Sequence, residues 1–565
     1  MPLHTPPWAS KKQTNVLTTS QLPPQLLLRL MTSSHLPGRV FLAAGLLLSA
    51  CQEKDPAKPK PPVTDPSKNL VCTPGAERSD YSIFPKVGDG AGVGDVMPYF
   101  DAASGSMYIY YLKDVWNDAT NQRHPWYGFQ TADFRQYTEL PAGELLASAS
   151  GDCAQDRAIG TGSVQELGGT YYAFYTGHNP NAANCGHRKE GIMLATAPGP
   201  AQKFTKNPAF TTLYVPKGQG FDENDNFRDP YVYLNDETKQ YDMLVAARQH
   251  NRGVVIKYTS ADLLAWSYQG ILYDGGASSY VMLECPQLFK IGSTYYLTFS
   301  DITTRNFYYR KSASPAGPWS PPTGPERVDG SGLYAAKVLN NTATGKHYLI
   351  GWVNRYQNHQ DGGSWWWGGN LVTHELVQTA NGDLTVQLVP ALRTYLEAQT
   401  EPLVRVSRTA TASRPDSSTY VLAGPATGPL AHVLFKPLNL TRYKISATVS
   451  YTDAANDFGF MLGACDGTNE FYSLRFVPSQ NRFSFDRINR NSLNPGTSPV
   501  ADVPFPMQPN TPYTVDIVQE NSVVVVYLNG IAALSSRIYK APRTSWGIFA
   551  DKCTATFRNL TVTKP

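Results

Sequence analysis

Glu284 to Asp301 reads ECPQLFKIGSTYYLTFSD: a short strand opened by Glu284, a turn carrying Gly292, and a second strand rich in aromatic and β-branched residues. Hairpins are built this way, with Gly, Asn or Asp at the turn. The same arrangement recurs in Asp95 to Asp114 (DVMPYFDAASGSMYIYYLKD), Gly160 to His178 (GTGSVQELGGTYYAFYTGH), Arg228 to Arg248 (RDPYVYLNDETKQYDMLVAAR) and Tyr334 to Val353 (YAAKVLNNTATGKHYLIGWV). A third strand follows each: Tyr127 to Thr131, Ile192 to Thr196, Val254 to Thr259, Phe307 to Lys311 and Leu371 to Leu376. Thr131-Ala132-Asp133-Phe134 closes the third strand of the first unit, and Ser260-Ala261-Asp262-Leu263, with Trp266 beyond it, closes that of the third. Units of about 50–70 residues, each a small antiparallel sheet, are the blades of a radial β-propeller. The fold expected is all-β, a five-bladed propeller over residues 78–390.

The rest of the chain fits that frame. At 565 residues there is room for two or three domains of roughly 100–200 residues each. Only 17% of residues are charged, while 12% are aromatic and Gly and Pro number 45 and 43, which excludes a disordered chain, a coiled coil or a helical bundle. A net charge of +4 lacks the basic footprint of a nucleic-acid binder. Abundant Tyr and Trp among few charges suit a neutral, hydroxyl-rich partner such as an oligo- or polysaccharide.

Beyond residue 390, Ala391-Leu392-Arg393 and Tyr395-Leu396-Glu397 read as a short helical connector over residues 391–401. Alternation then returns in Tyr443 to Tyr451, Phe458 to Ala464, Phe471 to Phe476, Arg482 to Ile488, Tyr513 to Val518, Val523 to Leu528, Gly547 to Ala550 and Thr554 to Val562. Around eight short strands suggest a C-terminal β-sandwich over residues 402–565.

At the other end, residues 1–50 read as a signal region. Val40 to Ala50 is the one stretch apolar enough for a membrane, and its length falls short of the roughly 20 residues that span a bilayer. It follows Arg39 and ends Leu48-Ser49-Ala50-Cys51, similar to a bacterial lipoprotein signal cleaved before a lipidated Cys51. A start at Met31 gives a signal of ordinary length, so residues 1–30 read as an over-called start. Residues 51–77, rich in Lys, Asp and Pro, form a tether after Cys51. The expected location is the cell envelope, outside the cytoplasm, with the membrane engaged only through the lipid; Gln52 after Cys51 leans toward the outer membrane. Such a compartment permits disulfides among Cys72, Cys153, Cys185, Cys285, Cys465 and Cys553. Cys153 with Cys185 and Cys465 with Cys553 are candidate pairs, though spacing leaves connectivity open. No metal-ligand spacing of Cys and His occurs, and neither metal nor cofactor is assigned.

The repeat also locates a site. Asp95, Asp229 and Glu284 stand at the entrance of the first strand in units one, three and four, so they are expected to occupy equivalent innermost positions and to converge on one funnel mouth. Buried carboxylates are costly unless paired or used. Two converging carboxyl groups permit glycoside hydrolysis, one as general acid and one as nucleophile or base, and a third can stabilise the cationic sugar. No Ser-His-Asp order, phosphate-cradling Gly loop or metal cluster competes. His124, His178 and His374 lie near strand ends as further candidates for the funnel.

From about Gly94 to Leu376 the sequence resembles glycoside hydrolase family 32, the β-fructosidases. The resemblance rests on Phe227-Arg228-Asp229-Pro230 and Glu284-Cys285-Pro286, similar to the family's Arg-Asp-Pro and Glu-Cys motifs in order. Supporting points are Tyr175-Thr176-Gly177, Tyr258-Thr259-Ser260 through Asp262-Leu263 to Trp266, Tyr334-Ala335, Gly351-Trp352 and Trp367-Gly368-Gly369. It implies a retaining cut at β-fructofuranosidic bonds, with Asp95 as nucleophile, Glu284 as acid/base and Asp229 as transition-state stabiliser. On this reading Glu284 carries the raised proton affinity and Asp95 stays ionised. Arg228, His124, Trp126, Ser163, Tyr334 and Trp367 are the candidate substrate contacts. The resemblance also implies a lectin-like sandwich, with Ser545 to Asp551 similar to one of its closing strands. One block departs: where the family has Trp-x-Asn-Asp-Pro-Asn-Gly, this chain has Val93-Gly94-Asp95-Val96-Met97-Pro98. Sister five-bladed families acting on arabinofuranosides share the three-carboxylate plan and are the alternative enzyme; a non-catalytic surface glycan-binding lipoprotein is the alternative outside catalysis.

The anchoring is open to direct test: mass spectrometry of the mature protein should find an N-terminal lipidated Cys51, and an unmodified chain that retains Val40 to Ala50 overturns it.

Overall fold

A computed structural model describes residues 80–565, apart from residues 89, 116–122, 453–456, 465–470, 488–495 and 497. The signal region, Cys51, the tether, Cys72 and Cys465 lie outside the described residues, and with Cys465 the candidate Cys465–Cys553 pair.

Five antiparallel blades follow one another along the chain, the first and fifth hydrogen-bonded to each other through the Val93–Gly369 pair. The first holds β1 (Val93–Asp101), β2 (Ser106–Lys113), β3 (Trp126–Thr131) and β4 (Thr138–Glu139), and the second β5 (Ala158–Leu167), β6 (Thr170–His178), β7 (Glu190–Ala197) and β8 (Thr205–Lys206). The third holds β9 (Phe227–Leu234), β10 (Tyr241–Gln249), β11 (Arg252–Ser260) and β12 (Ser267–Tyr273), and the fourth β13 (Leu283–Ile291), β14 (Thr294–Asp301) and β15 (Phe307–Ser312). The fifth holds β16 (Leu333–Asn341), β17 (Lys346–Tyr356), β18 (Trp365–Gln378) and β19 (Leu384–Gln387). The first strands touch in sequence, β1 on β5, β5 on β9, β9 on β13 and β13 on β16, and β16 returns to β1. The ring is closed, as a five-bladed propeller requires.

Burial explains the composition of the blades. A second strand such as β2 or β14 is buried along nearly its whole length, because both its faces pack on neighbouring blades. It therefore reads as a continuous aromatic and aliphatic run. The outer β12 alternates exposed and covered residues instead. The Thr/Ser-x-Asp repeat is a turn: Thr131 Oγ1 accepts from Phe134 N–H at 2.9 Å, and Ser260 Oγ from Leu263 N–H at 2.9 Å. Phe134 and Leu263, both at positive φ, are thereby tucked into the core. The expected Cys153–Cys185 disulfide is present.

After the helix Pro390–Leu396, two facing sheets of eight and seven strands form the sandwich around one apolar core. This is nearly twice the expected number of strands. The additional ones are Gln399–Glu401, Arg405–Arg408, Ala412–Ser413, Tyr420–Ala423, Ala431–Phe435, Ala501–Pro504 and Ala532–Arg537. Most are too short to show a period, and Ala532–Arg537 is buried although half of it is polar.

Those polar residues hold the two domains together. Asp329, ahead of β16, accepts at Oδ1 from the N–H groups of Ser535 (2.8 Å) and Gly330 (2.6 Å), and at Oδ2 from Ser535 Oγ (2.6 Å); His374 Nε2 lies 2.9 Å from Oδ2. His374 Nδ1 meets the Tyr527 hydroxyl at 3.0 Å. His374 is thus fully buried in the interface and not at the funnel, because β18 carries it to the face that meets the sandwich. Gly332 lets the chains approach here, since a Cβ on it would lie 1.9 Å from the Ser535 carbonyl oxygen. At the N-terminal side, Glu520 accepts from the N–H groups of Ser82, Ile83 and Phe84 within 3.0 Å and from Arg442 Nε at 2.8 Å.

Asp329→Ala leaves several buried donors without an acceptor and should destabilise the chain by about 3–5 kcal/mol, against about 1 kcal/mol for Ser535→Ala. Urea denaturation of the two variants checks this; equal, small losses would show that the network does not join the domains.

Candidate active site

Each innermost strand is interrupted at the same place. Two residues oppose one across the ladder in every blade: Gly94 and Asp95 lie between the paired Val93 and Val96, Gly160 and Thr161 between Ile159 and Gly162, and Asp229 and Pro230 between Arg228 and Tyr231. Cys285 and Pro286 lie between Glu284 and Gln287, and Ala335 and Ala336 between Tyr334 and Lys337. These are β-bulges, devices that re-aim side chains at sites. Asp229, Cys285 and Ala335, the first bulge residue in their blades, have φ of 61°, 51° and 48°.

This register corrects the expectation that the acidic residues are positionally equivalent. Glu284 precedes its bulge, Asp229 is the first residue of its bulge and Asp95 the second of its own. They nevertheless meet: the N–H of Cys285, next to Glu284, donates to Asp229 Oδ2 at 2.9 Å, and the rings of Tyr334, which bonds Glu284, and Trp352, which bonds Asp95, lie 5.5 Å apart. Burial, then Asp229 and Glu284, push Asp95 up to about 7, although Trp352 Nε1 donates to its Oδ1 at 3.0 Å and Thr161 Oγ1 to its Oδ2 at 2.9 Å. Burial and Glu284 push Asp229 up to about 6, against Arg228, the Cys285 N–H on its Oδ2 at 2.9 Å, and Lys337.

Glu284 is held differently. Arg228 donates to its Oε1 from Nε (3.0 Å) and Nη2 (2.8 Å), and the Tyr334 hydroxyl donates to its Oε2. Asp95, expected to stay ionised, instead has its affinity for a proton raised in the free site by burial and its carboxyl neighbours, as has Asp229; the guanidinium hydrogen-bonds neither of them. Arg228 is gripped from behind by Glu190, Nη1 to Oε1 at 3.2 Å. Burial opposes ionisation of Glu190, yet Arg228 and His178 hold its carboxyl well below the usual range.

The remaining candidates divide in two. Tyr334 bears on Glu284, and Trp367 lies over Gly94 with the His124 ring 4.2 Å away; burial pushes His124 down to about 4, keeping it neutral. Trp126 and Ser163 are not brought to the mouth. Trp126 is fully buried with Nε1 on the Gly160 carbonyl at 3.2 Å, and Ser163 Oγ accepts from Val232 N–H at 2.9 Å, joining blades two and three. Sequence reasoning missed Glu190, Thr161 and Lys337, and quoted Trp352 only within the Gly351-Trp352 motif, with no place at the site. Thr161 was visible as the counterpart of Asp95 in the bulge repeat; Glu190, on a third strand, carried no local signal. Among the described residues no group of His, Cys, Asp and Glu is arranged to hold a metal. Mutually coupled carboxyl groups with neutral hydroxyl and indole donors suit acid–base and nucleophilic work on a neutral sugar.

Comparison with known proteins agrees. The family model described as glycosyl hydrolases family 32 N-terminal domain matches residues 100–387, just over half of the chain, and the BT1760-like C-terminal domain of family 32 matches residues 382–562. A sucrose-6-phosphate hydrolase of Escherichia coli is 25% identical over 421 residues, covering 71% of this chain and 78% of its own. An insoluble β-fructofuranosidase isoenzyme of Arabidopsis thaliana is 23% identical over 419 residues, 65% of this chain and 70% of its own. In fold, the fructan 1-exohydrolase IIa of Cichorium intybus superposes with a TM-score of 0.65 at 15% identity, covering 86% of this chain and 97% of that one.

A carboxyl whose proton affinity is higher folded than unfolded binds extra protons in the native state, so native stability is greater at low pH and falls as pH rises from 3.8 to about 7. Asp95→Asn removes that loss. Above pH 7 the variant should melt several degrees higher than the parent, the gap closing toward pH 4; thermal melts across that range that run parallel would show Asp95 to be ionised without penalty.

Proposed function

Because the chain belongs to glycosyl hydrolase family 32, we propose that it cleaves β-fructofuranosidic bonds in fructans or fructo-oligosaccharides with retention of configuration. A β-fructosidase-like glycoside hydrolase is what the family match supports; Asp95, Asp229 and Glu284 at one mouth support the carboxylate mechanism, and the likeness to a β-fructofuranosidase and a fructan exohydrolase supports the fructose-linked substrate.

Asp95 attacks the anomeric carbon and Glu284 protonates the departing oxygen, giving a fructosyl-enzyme ester. Glu284, now ionised, takes a proton from water as that water attacks the ester, and Asp95 is released. Asp229 holds ring hydroxyls and is worth most as positive charge develops on the sugar. Substrate hydroxyls donating to Asp95 and Asp229 favour their ionised forms, the state a nucleophile and a stabiliser of positive charge require. Arg228 and Tyr334 fix the Glu284 carboxyl in place. The lipoprotein-like signal supports placing this activity in the cell envelope, on a chain anchored at Cys51.

A hydrolysis panel of sucrose, inulin, levan and arabino-oligosaccharides tests the substrate class; turnover confined to the arabinosides overturns it. Glu284→Ala should lower kcat by about 10²–10⁴-fold on natural substrates, spare activated aryl fructosides and regain part of their turnover with azide. Asp95→Asn should show no azide rescue, since no ester forms. Near-parental turnover by Asp95→Asn would rule out the mechanism.

A further inference from the structure

Glu190 is the carboxyl group beside the mouth that the mechanism above leaves without a task. It opens β7, paired across the ladder with His178, and is buried. A buried carboxylate is costly unless it is paired. Its pairing is directed at the entrance of β9 in the next blade: Oε2 accepts from the Phe227 N–H at 2.7 Å, and Arg228 Nη1 donates to Oε1 and Oε2 at 3.2 and 3.3 Å. His178 Nδ1 lies 3.5 Å from Oε1.

A guanidinium is planar, so fixing one end of it aims the rest. With Nη1 on Glu190, the edge formed by Nε and Nη2 faces Glu284, and both donate to the same oxygen, Oε1, at 3.0 and 2.8 Å. The other oxygen, Oε2, has the Tyr334 hydroxyl as its partner. The two oxygens are therefore chemically different. A guanidinium only donates, so Oε1, with both lone pairs engaged, has no place for a proton; a hydroxyl donates or accepts, so Tyr334 can turn to receive a proton carried on Oε2. An arginine free at both Nη atoms can instead grip a carboxylate by its two oxygens, which holds it ionised and leaves neither oxygen for a proton.

We propose that Glu190 is a positioning residue for catalysis: by occupying Nη1 of Arg228 it keeps the guanidinium on Oε1 of Glu284 and reserves Oε2 to carry the proton that the departing sugar oxygen receives. The proposal rests on the fructosidase reading above and deepens it. As the Asp95 carboxylate bonds the anomeric carbon, the bond to the departing oxygen breaks with its electron pair, and that oxygen takes the proton from Oε2.

The test compares, in the full chain, the natural substrate that the parent cleaves fastest in the hydrolysis panel with an activated aryl fructoside, whose leaving group departs without a proton. Glu190→Ala should lower kcat/KM for the natural substrate about 100-fold, the low end of what a general acid supplies, through kcat with KM nearly unchanged, and should leave the aryl fructoside within about three-fold of the parent. Glu190→Gln, which keeps an oxygen for Arg228 in the same space, should recover about ten-fold of that loss. If Glu190→Ala does not fold, Glu190→Gln decides, with about a ten-fold loss expected on the natural substrate alone. Losses shared equally by the two substrates, or no loss on either, overturn the role of Glu190 and leave the fructosidase activity standing. A parent that cleaves no fructoside overturns the activity, and this role with it.

Discussion

Carboxyl groups crowded into one protein-walled mouth repel each other and lose their hydration, and the Arg228 guanidinium is what allows them to coexist. It lies between Glu190 and Glu284 and beside Asp229, and a second cation, the buried Lys337 ammonium on the Gly162 carbonyl at 2.8 Å, also favours the ionised form of Asp229. Four carboxyl groups thus face two fixed cations. Burial and mutual repulsion then raise the proton affinities of Asp95 to about 7 and of Asp229 to about 6, the two carboxyls that Arg228 does not hydrogen-bond.

Bringing those groups together is a problem of strand geometry. Successive residues of a regular strand point to opposite faces, so Glu284, Asp229 and Asp95, which sit at three successive positions relative to their bulges, would not share one side in unbroken ladders. The bulge removes that restriction in each blade. Its left-handed residues carry strain of about 1–3 kcal/mol each, tolerated because neighbours over-determine them. Asp229 N–H donates to Thr176 Oγ1 at 2.9 Å while its carboxylate accepts from the N–H of Cys285, itself left-handed in the next blade. Two strained positions hold each other.

This geometry also accounts for what could be read beforehand. The blades were legible because their second strands are buried on both faces and must be aromatic and aliphatic from end to end, as in Ser106–Lys113. The carboxylates were legible because they open strands, but their register was not, since the local sequence around a two-residue bulge looks like ordinary strand. Pro230, Pro286 and Gly160 inside the bulges were the available signs. Trp126 looked like a ring at a strand start and is one, with both faces buried among Tyr110, Tyr175 and Phe204. Strands such as Ala532–Arg537 stayed hidden because their polar residues answer to partners on the other domain, a requirement with no local pattern.

The departure around Asp95 has a structural counterpart on another blade. Gly94 precedes Asp95, and a Cβ there would lie 1.9 Å from the Trp367 indole, so the ring occupies the space that any side chain at that position would fill. Trp367 comes from β18, whose first residues run beside β1 through the Val93–Gly369 pair, and it is braced by His124 at 4.2 Å and Trp352 at 5.6 Å. The wall next to Asp95 is thereby built from blade five instead of from the residues that flank it. The family match begins only at residue 100, beyond the altered block, while Asp95 keeps its donors Trp352 and Thr161. The local sequence around Asp95 can therefore diverge while its wall and its hydrogen-bond donors are kept, provided that another strand supplies the ring that covers it.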